Sequence, residues 1–255
     1  MKIYLTSFIF VLILLTTYGC VGRSSGKKDI TESDTVSIPD TGYTGIKQYM
    51  SRQLLVKEVT FKNGVRQGLM KTYYQTGELF QTFWYENGMR EDSSRYYYRE
   101  GQLFRKTPYK HDTVDGTVIQ YYRTGKLRAK IGYSKGLRTN YFEEYTPDGK
   151  LFTDYPDIVA SINDQYSTKS LYRIELELSN KDNKVQFFRG EFTDNRFDTA
   201  ACQPINIING KGRIDLRKTG SPGQKYVGVI ASILTPLGNR LLKYKKIDLP
   251  YNDLK

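Results

Sequence analysis

Five columns of residues recur at a spacing of 24 between Leu55 and Leu151, and that period restricts what the chain can fold into more than any other feature. Leu55, Leu79, Leu103, Leu127 and Leu151 make one column, and Phe61, Tyr85, Tyr109 and Tyr133 a second. Tyr73, Tyr97, Tyr121 and Tyr145 make a third, Gly77, Gly101, Gly125 and Gly149 a fourth, and Gly64, Gly88 and Gly136 a fifth interrupted by Asp112. A tandem unit of this length is one supersecondary motif that buries its apolar face only by stacking on its neighbours.

The spacing inside one unit says which motif. An aromatic end is followed by Thr76-Gly77, Glu100-Gly101, Thr124-Gly125 or Asp148-Gly149, turn chemistry of the kind that supplies positive φ. Apolar residues then alternate, as in Leu79, Phe83 and Tyr85 or Leu127, Ile131 and Tyr133, which is the period of a strand. A second turn, Asn63-Gly64, Asn87-Gly88 or Lys135-Gly136, opens the next unit. Isolated hairpins are marginal in water, so the units are expected to pair edge to edge into one meandering sheet. The array is expected over residues 54–155.

Gly-x-Leu after paired aromatics, then Tyr-x-x-Gly, then a further glycine four positions on as in Gly64 and Gly68, resembles the variant MORN (membrane occupation and recognition nexus) repeat. Asp92 and Asn140 depart from it where Gly68 and Gly116 hold the second glycine. The resemblance implies a protein-interaction or membrane-associated scaffold. It also brings an antitoxin-like component as an alternative, one at odds with an exported chain.

Beyond Tyr155-Pro156-Asp157 the period stops. Tyr172, Ile174, Leu176 and Leu178 alternate, and shorter apolar runs at 184–192, 205–208, 213–216, 226–234 and 241–249 are separated by turn-rich segments such as Asn209-Gly210 and Ser221-Pro222-Gly223. This pattern predicts a β-sandwich of immunoglobulin-like size over residues 156–255. The fold class is therefore all-β: a repeat sheet followed by a small sandwich.

The N-terminus reads as an address. Lys2 precedes an apolar run from Ile3 to Leu15 that as a helix spans roughly 20 Å, short of the ~30 Å hydrocarbon core. This is the length of a signal-peptide core. Thr17-Tyr18-Gly19-Cys20 follows, and it looks like a bacterial lipoprotein signal, with residues 1–19 removed and Cys20 lipidated. Val21, in place of aspartate, resembles sorting to the outer membrane. Residues 20–53 are expected to be a lipidated cysteine and a flexible tether, since 21–45 hold almost no apolar surface to bury. The implied location is the cell envelope, with the membrane reached through the anchor.

The formal charge of +12 does not point to nucleic acid, because it is spread out: 17 Lys and Arg stand against 12 Asp and Glu over residues 54–154, and 16 against 11 over 155–255. A nucleic-acid site concentrates its cations on one element. One histidine, His111, and two cysteines, Cys20 and Cys202, leave few ways to build a metal site or an imidazole-dependent catalytic set. Phosphate-loop, nucleophile-elbow and dinucleotide fingerprints are absent. His111, Asp112 and Asp115 read as a solvated turn, and Cys202 as a small apolar group. Glu143 and Glu144, adjacent on a strand, point to opposite faces and cannot flank one bond. No catalytic residue, cofactor or metal is expected, and the chain is read as a non-enzymatic binding protein.

The candidate binding face is aromatic and basic: Trp84, Tyr97, Tyr98, Tyr121 and Tyr122 interleave with Arg95, Arg99 and Arg123. Alternation sends one ring of each Tyr-Tyr pair into the packed stripe and the other to the opposite side. An exposed ladder of this kind suits an envelope protein partner or, as a second reading, a glycan, cell-wall or lipid-headgroup ligand. The same rings could equally serve to cover an open sheet, and the sequence leaves both readings open.

Overall fold

The computed structural model describes residues 42–255, so Cys20, the signal sequence and most of the expected tether lie outside it. The periodic region is a run of antiparallel strands: β1 (Gly45–Ser51), β2 (Leu54–Lys62), β3 (Val65–Tyr73), β4 (Leu79–Glu86), β5 (Met89–Tyr97), β6 (Leu103–Lys110), the short β7 (Thr113–Val114), β8 (Gly116–Tyr121), β9 (Leu127–Ser134), β10 (Leu137–Tyr145) and β11 (Leu151–Phe152). They pair in sequence order, except that β7 and β8 share β6 as their partner. The meandering sheet read from the period is thus what forms.

Two kinds of turn alternate. Asn63-Gly64, Asn87-Gly88, His111-Asp112 and Lys135-Gly136 each carry positive φ at both residues, at 51° and 77°, 51° and 85°, 48° and 62°, and 49° and 82°. That is the two-residue hairpin whose twist matches the strands it joins. Asp112 holds the conformation without glycine, and its carboxylate accepts bonds from the Arg90 backbone N at 2.9 Å and Nε at 2.8 Å. The wider turns at the other end repeat one pattern, with Tyr98 N bonded to Gln102 O and Gly101 N to Tyr98 O in one unit, and Tyr122 N to Lys126 O and Gly125 N to Tyr122 O in the next.

One strand lies where a tether was expected. β1 occupies residues 45–51 and pairs with β2 from Gly45 against Phe61 to Ser51 against Leu54. Its signal was present but disguised: Tyr49 stands 24 residues before Tyr73, and Arg52 and Gln53 take the positive φ of a turn, 49° and 67°, without glycine. Tyr49 packs on the cluster of Val59, Met70 and Tyr85, which explains why the segment orders. The two departures from the repeat resolve differently. Asp92 adopts φ 57°, in the left-handed region that Gly68 also occupies, whereas Asn140 sits in an irregular stretch of β10 between Arg138 and Phe142.

Neighbouring units are stitched along both ends of the strands. At one end Gly88 N, Asp112 N and Gly136 N donate to Arg66 O, Arg90 O and Val114 O of the preceding turn. At the other, the Tyr74, Tyr98 and Tyr122 hydroxyls donate to the carbonyls of Tyr97, Tyr121 and Tyr145 at 2.7, 2.9 and 2.6 Å. One face of the sheet, here the core face, buries Val59, Met70 and Tyr85 in its first units and Val118, Ala129 and Ile131 in its last.

The C-terminal region is a sandwich. One sheet contains β12 (Ile158–Gln165), β13 (Leu171–Leu178), β17 (Ile207–Ile208) and β18 (Lys211–Arg217). The other contains β14 (Val185–Arg189), β16 (Gln203–Pro204), β19 (Tyr226–Leu234) and β20 (Arg240–Asp248). A one-turn helix, α1 (Tyr166–Lys169), links β12 to β13. Ile174, Leu176 and Leu216 from the first sheet and Phe187, Val229 and Ala231 from the second are fully buried against one another. Each large apolar side chain contributes about 1.5 to 3 kcal/mol by leaving water. β12 carries no alternation because Ser161, Asn163 and Asp164 on it are exposed, and so only the structure reveals it.

β15 (Arg196–Phe197) leaves the sandwich and pairs with β10 of the array, Arg138 against Phe197 and Thr139 against Arg196. The turn between β19 and β20 rests on the same unit. Glu144, fully buried on the core face, accepts bonds from Thr235 Oγ1 at 2.9 Å and Asn239 Nδ2 at 2.7 Å. Arg128 and Arg138 donate to Leu237 O and Arg240 O. The array and the sandwich therefore belong to one compact unit.

Candidate functional site

The face opposite the core face, here the outer face, is where the chain presents unengaged chemistry. The ladder register threads one residue from each long strand of the array into a single cross-strand row: Gln48, Glu58, Lys71, Thr82, Arg95, Lys106, Ile119, Lys130 and Glu143. Directly opposed side chains in such a row lie about 4.5 to 5.5 Å apart at Cβ and interact.

At both ends the row neutralises itself. Glu58 takes hydrogen bonds from the Tyr73 hydroxyl and from Gln48 Nε2 at 2.8 Å, and lies 3.8 Å from Lys71 Nζ. The Tyr73 bond, ahead of Gln48 and Lys71, holds the Glu58 carboxyl below its ordinary range. At the far end Glu143 takes bonds from the Tyr145 hydroxyl at 2.6 Å and the Tyr141 hydroxyl at 3.0 Å, and Lys130 Nζ lies at 2.9 Å. The Tyr145 bond first, then those from Lys130 and Tyr141, bring Glu143 down to about 2. Glu144, its neighbour in sequence, points the other way into the junction, as alternation demands.

The two central units have the same parts without the acid. The triad of Glu58, Lys71 and Tyr73 becomes Thr82, Arg95 and Tyr97 one repeat later. The triad of Lys130, Glu143 and Tyr145 becomes Lys106, Ile119 and Tyr121 one repeat earlier. Arg95 and Lys106 face each other directly across β5 and β6. Among the described residues neither has an acidic partner, and the Tyr97 and Tyr121 hydroxyls have no acceptor. Like charges set opposite one another destabilise a sheet, so the pair is costly unless something anionic meets it. Trp84, 40% exposed, stands on the same face two residues along β4 from Thr82.

The eight residues singled out from sequence divide accordingly. Trp84, Arg95, Tyr97 and Tyr121 gather on the outer face. Tyr98 and Tyr122 are consumed by the inter-unit hydroxyl ladder, and their rings carry Arg123 at 4.6 Å and Arg128 at 5.8 Å. Arg99 lies over Tyr74 at 5.4 Å, and Arg123 also pairs with Glu100. These contacts hold the turns together rather than facing a ligand. Lys106 was missed because it sits in no aromatic cluster; the signal that finds it is the charge column Glu58, Thr82, Lys106 and Lys130. Cys20 lies outside the described residues.

Burial raises the Cys202 thiol above its ordinary value, the environment of a packed cysteine and not of a nucleophile. Among the described residues no group of three or more His, Cys, Asp and Glu is placed to hold a metal.

Residues 93–111 and 114–135 match the MORN repeat variant family. Those stretches run from β5 to the end of β9 and hold Arg95, Lys106, Tyr97 and Tyr121. No curated protein matches the chain.

Proposed function

We propose that this chain is a non-enzymatic scaffold of the cell envelope, held at the outer membrane by a lipid on Cys20, whose repeat sheet docks another envelope protein through its outer face. MORN repeats are generally associated with protein or membrane interaction. The observation that carries the reading is the division of labour between the two faces. The core face is packed and closed at one end by the sandwich, while the outer face presents Trp84, Tyr97 and Tyr121 beside two cations that have no acidic partner among the described residues, on a stitched sheet.

Rings and guanidinium groups fixed on regular strands lose little freedom on binding, which favours a recognition surface. The test is a pull-down from crosslinked envelopes with the wild type and a Trp84→Ala/Tyr97→Ala variant. The variant is expected to lose a partner, and identical partner sets would remove the outer face from the reading. For the address, palmitate labelling is expected to disappear in Cys20→Ser, and persistence would refute acylation there.

One observation favours a glycan ligand instead. An open cleft of about 570 Å³ in the sandwich is lined by Arg189, Glu191, Gln203, Gln224 and Tyr226, planar polar groups beside a ring. The Gln224 amide nitrogen in it is buried without a partner. Co-sedimentation of the protein with purified cell-wall polysaccharide is the result that this second reading requires.

A further inference from the structure

Resting on the scaffold reading of the outer face, we propose that the central units form a carboxylate-binding site that docks an Asp or Glu side chain from an acidic segment of a partner polypeptide. The chain itself supplies the template twice. In the first and last units a glutamate carboxylate sits between a lysine ammonium and a tyrosine hydroxyl: Glu58 with Lys71 and Tyr73, Glu143 with Lys130 and Tyr145. In the two units between them the cation and the tyrosine are kept in the same columns of the same face, and only the carboxylate is missing.

The geometry favours an incoming acid over an apolar contact. Arg95 and Lys106 are direct cross-strand neighbours, so one carboxylate can reach both cations. Tyr97, two residues from Arg95 on its strand, and Tyr121, in the column of the acid-binding Tyr145, add hydroxyl donors that nothing in the described residues accepts. The nearest acids of the row, Glu58 and Glu143, are held by their own lysines and cannot swing in without breaking three contacts each. Glu91, on the strand of Arg95, is engaged at the turn by the His111 backbone N at 2.8 Å. Strand spacing sets the open stretch: β4, β5, β6 and β8 at about 4.8 Å apart span roughly 15 Å inside the paired ends, the width of a short peptide segment. Trp84 at its edge provides an apolar contact for a residue flanking the acid.

Trp84 is the only tryptophan in the chain, so its emission reports on this site directly. The full chain is titrated with a glutamate-rich peptide while that emission is followed. A saturable change is expected, weakened about tenfold or more in Arg95→Gln/Lys106→Gln, the loss that removing a charge-assisted hydrogen bond brings. Lys245→Gln, which lowers the net charge on the sandwich, leaves binding unchanged. Ile119→Glu rebuilds the missing triad from within and abolishes binding, whereas Ile119→Gln does not.

An unsaturable titration, or equal binding by the double variant with a wild-type melting curve, overturns the site. Tighter binding to polygalacturonate or to phosphatidylglycerol vesicles than to the peptide overturns the polypeptide source. Retention of every crosslinked partner by Arg95→Gln/Lys106→Gln sinks the carboxylate site alone and leaves the scaffold reading to the Trp84→Ala/Tyr97→Ala test.

Discussion

Replacing Glu144 by alanine is expected to loosen the sandwich from the array, and its size follows from three burials. Glu144 is fully buried, and its two main donors, Thr235 and Asn239, are 4% and 8% exposed, so water cannot step in for the lost acceptor. A buried donor left without an acceptor costs about 1 to 3 kcal/mol, so the Thr235 hydroxyl and the Asn239 amide together put the variant about 2 to 6 kcal/mol below the wild type. In a unit of this size that is a fall in Tm of roughly 4 to 24 °C.

The assay is thermal unfolding followed by two probes: emission of Trp84, which sits in the array, and far-ultraviolet dichroism, which reports both parts. In the wild type the two transitions coincide. In Glu144→Ala they fall and separate, because the β15 pairing and the Arg128 and Arg138 bonds to Leu237 O and Arg240 O do not by themselves hold the sandwich on the array. Glu143→Ala is the control, removing the adjacent carboxylate from the outer face at a cost within about 1 kcal/mol. A Glu144→Ala protein that melts with the wild type, or a Glu143→Ala protein that melts as low as Glu144→Ala, would refute the assignment of the junction to Glu144.

Gly101→Val and Gly125→Val are each expected to destabilise by about 1 to 3 kcal/mol through backbone strain alone. Their φ values are 91° and 80°, and an added Cβ would meet nothing within 4 Å, so unchanged urea midpoints would contradict the turn assignment. Tyr98→Phe removes one inter-unit hydroxyl bond and should lower stability by about 1 kcal/mol with the ring retained; an unchanged midpoint would show that the ladder contributes nothing. The depressed Glu143 carboxyl makes a pH-dependent contribution: stability that is full above its unfolded value of 4.5 is lost as pH falls through about 2. The gap in Tm between wild type and Glu143→Gln should therefore be steady from pH 7 to 5 and close on acidification below about 4.5. A gap that widens on acidification would mean the sign is wrong.

What the sequence settled by itself is what depends on short stretches of chain. The period of 24, the hairpins, the turn positions and the alternation of the sandwich strands all follow from local backbone preference and side-chain direction. Asn63-Gly64 and Asn87-Gly88 specify their hairpins from two residues each. Where local chemistry is unusual the sequence misleads: Arg52-Gln53 makes a turn without glycine, so β1 resembles tether, and the exposed polar residues of β12 hide a strand.

Only the tertiary structure decided which aromatics are free. The tyrosine that follows each ladder irregularity, Tyr73 after Thr72, Tyr97 after Tyr96 and Tyr121 after Gln120, faces outward, whereas the next tyrosine binds its hydroxyl to a carbonyl 23 residues away. The sandwich contact through Glu144 joins residues more than 90 apart in the chain, and no local pattern encodes it. The acid-free centre of the outer row is intermediate between the two cases. Its charges stand in columns visible in the sequence, but that Arg95 opposes Lys106 depends on register across strands, which is fixed by hydrogen bonding between distant segments.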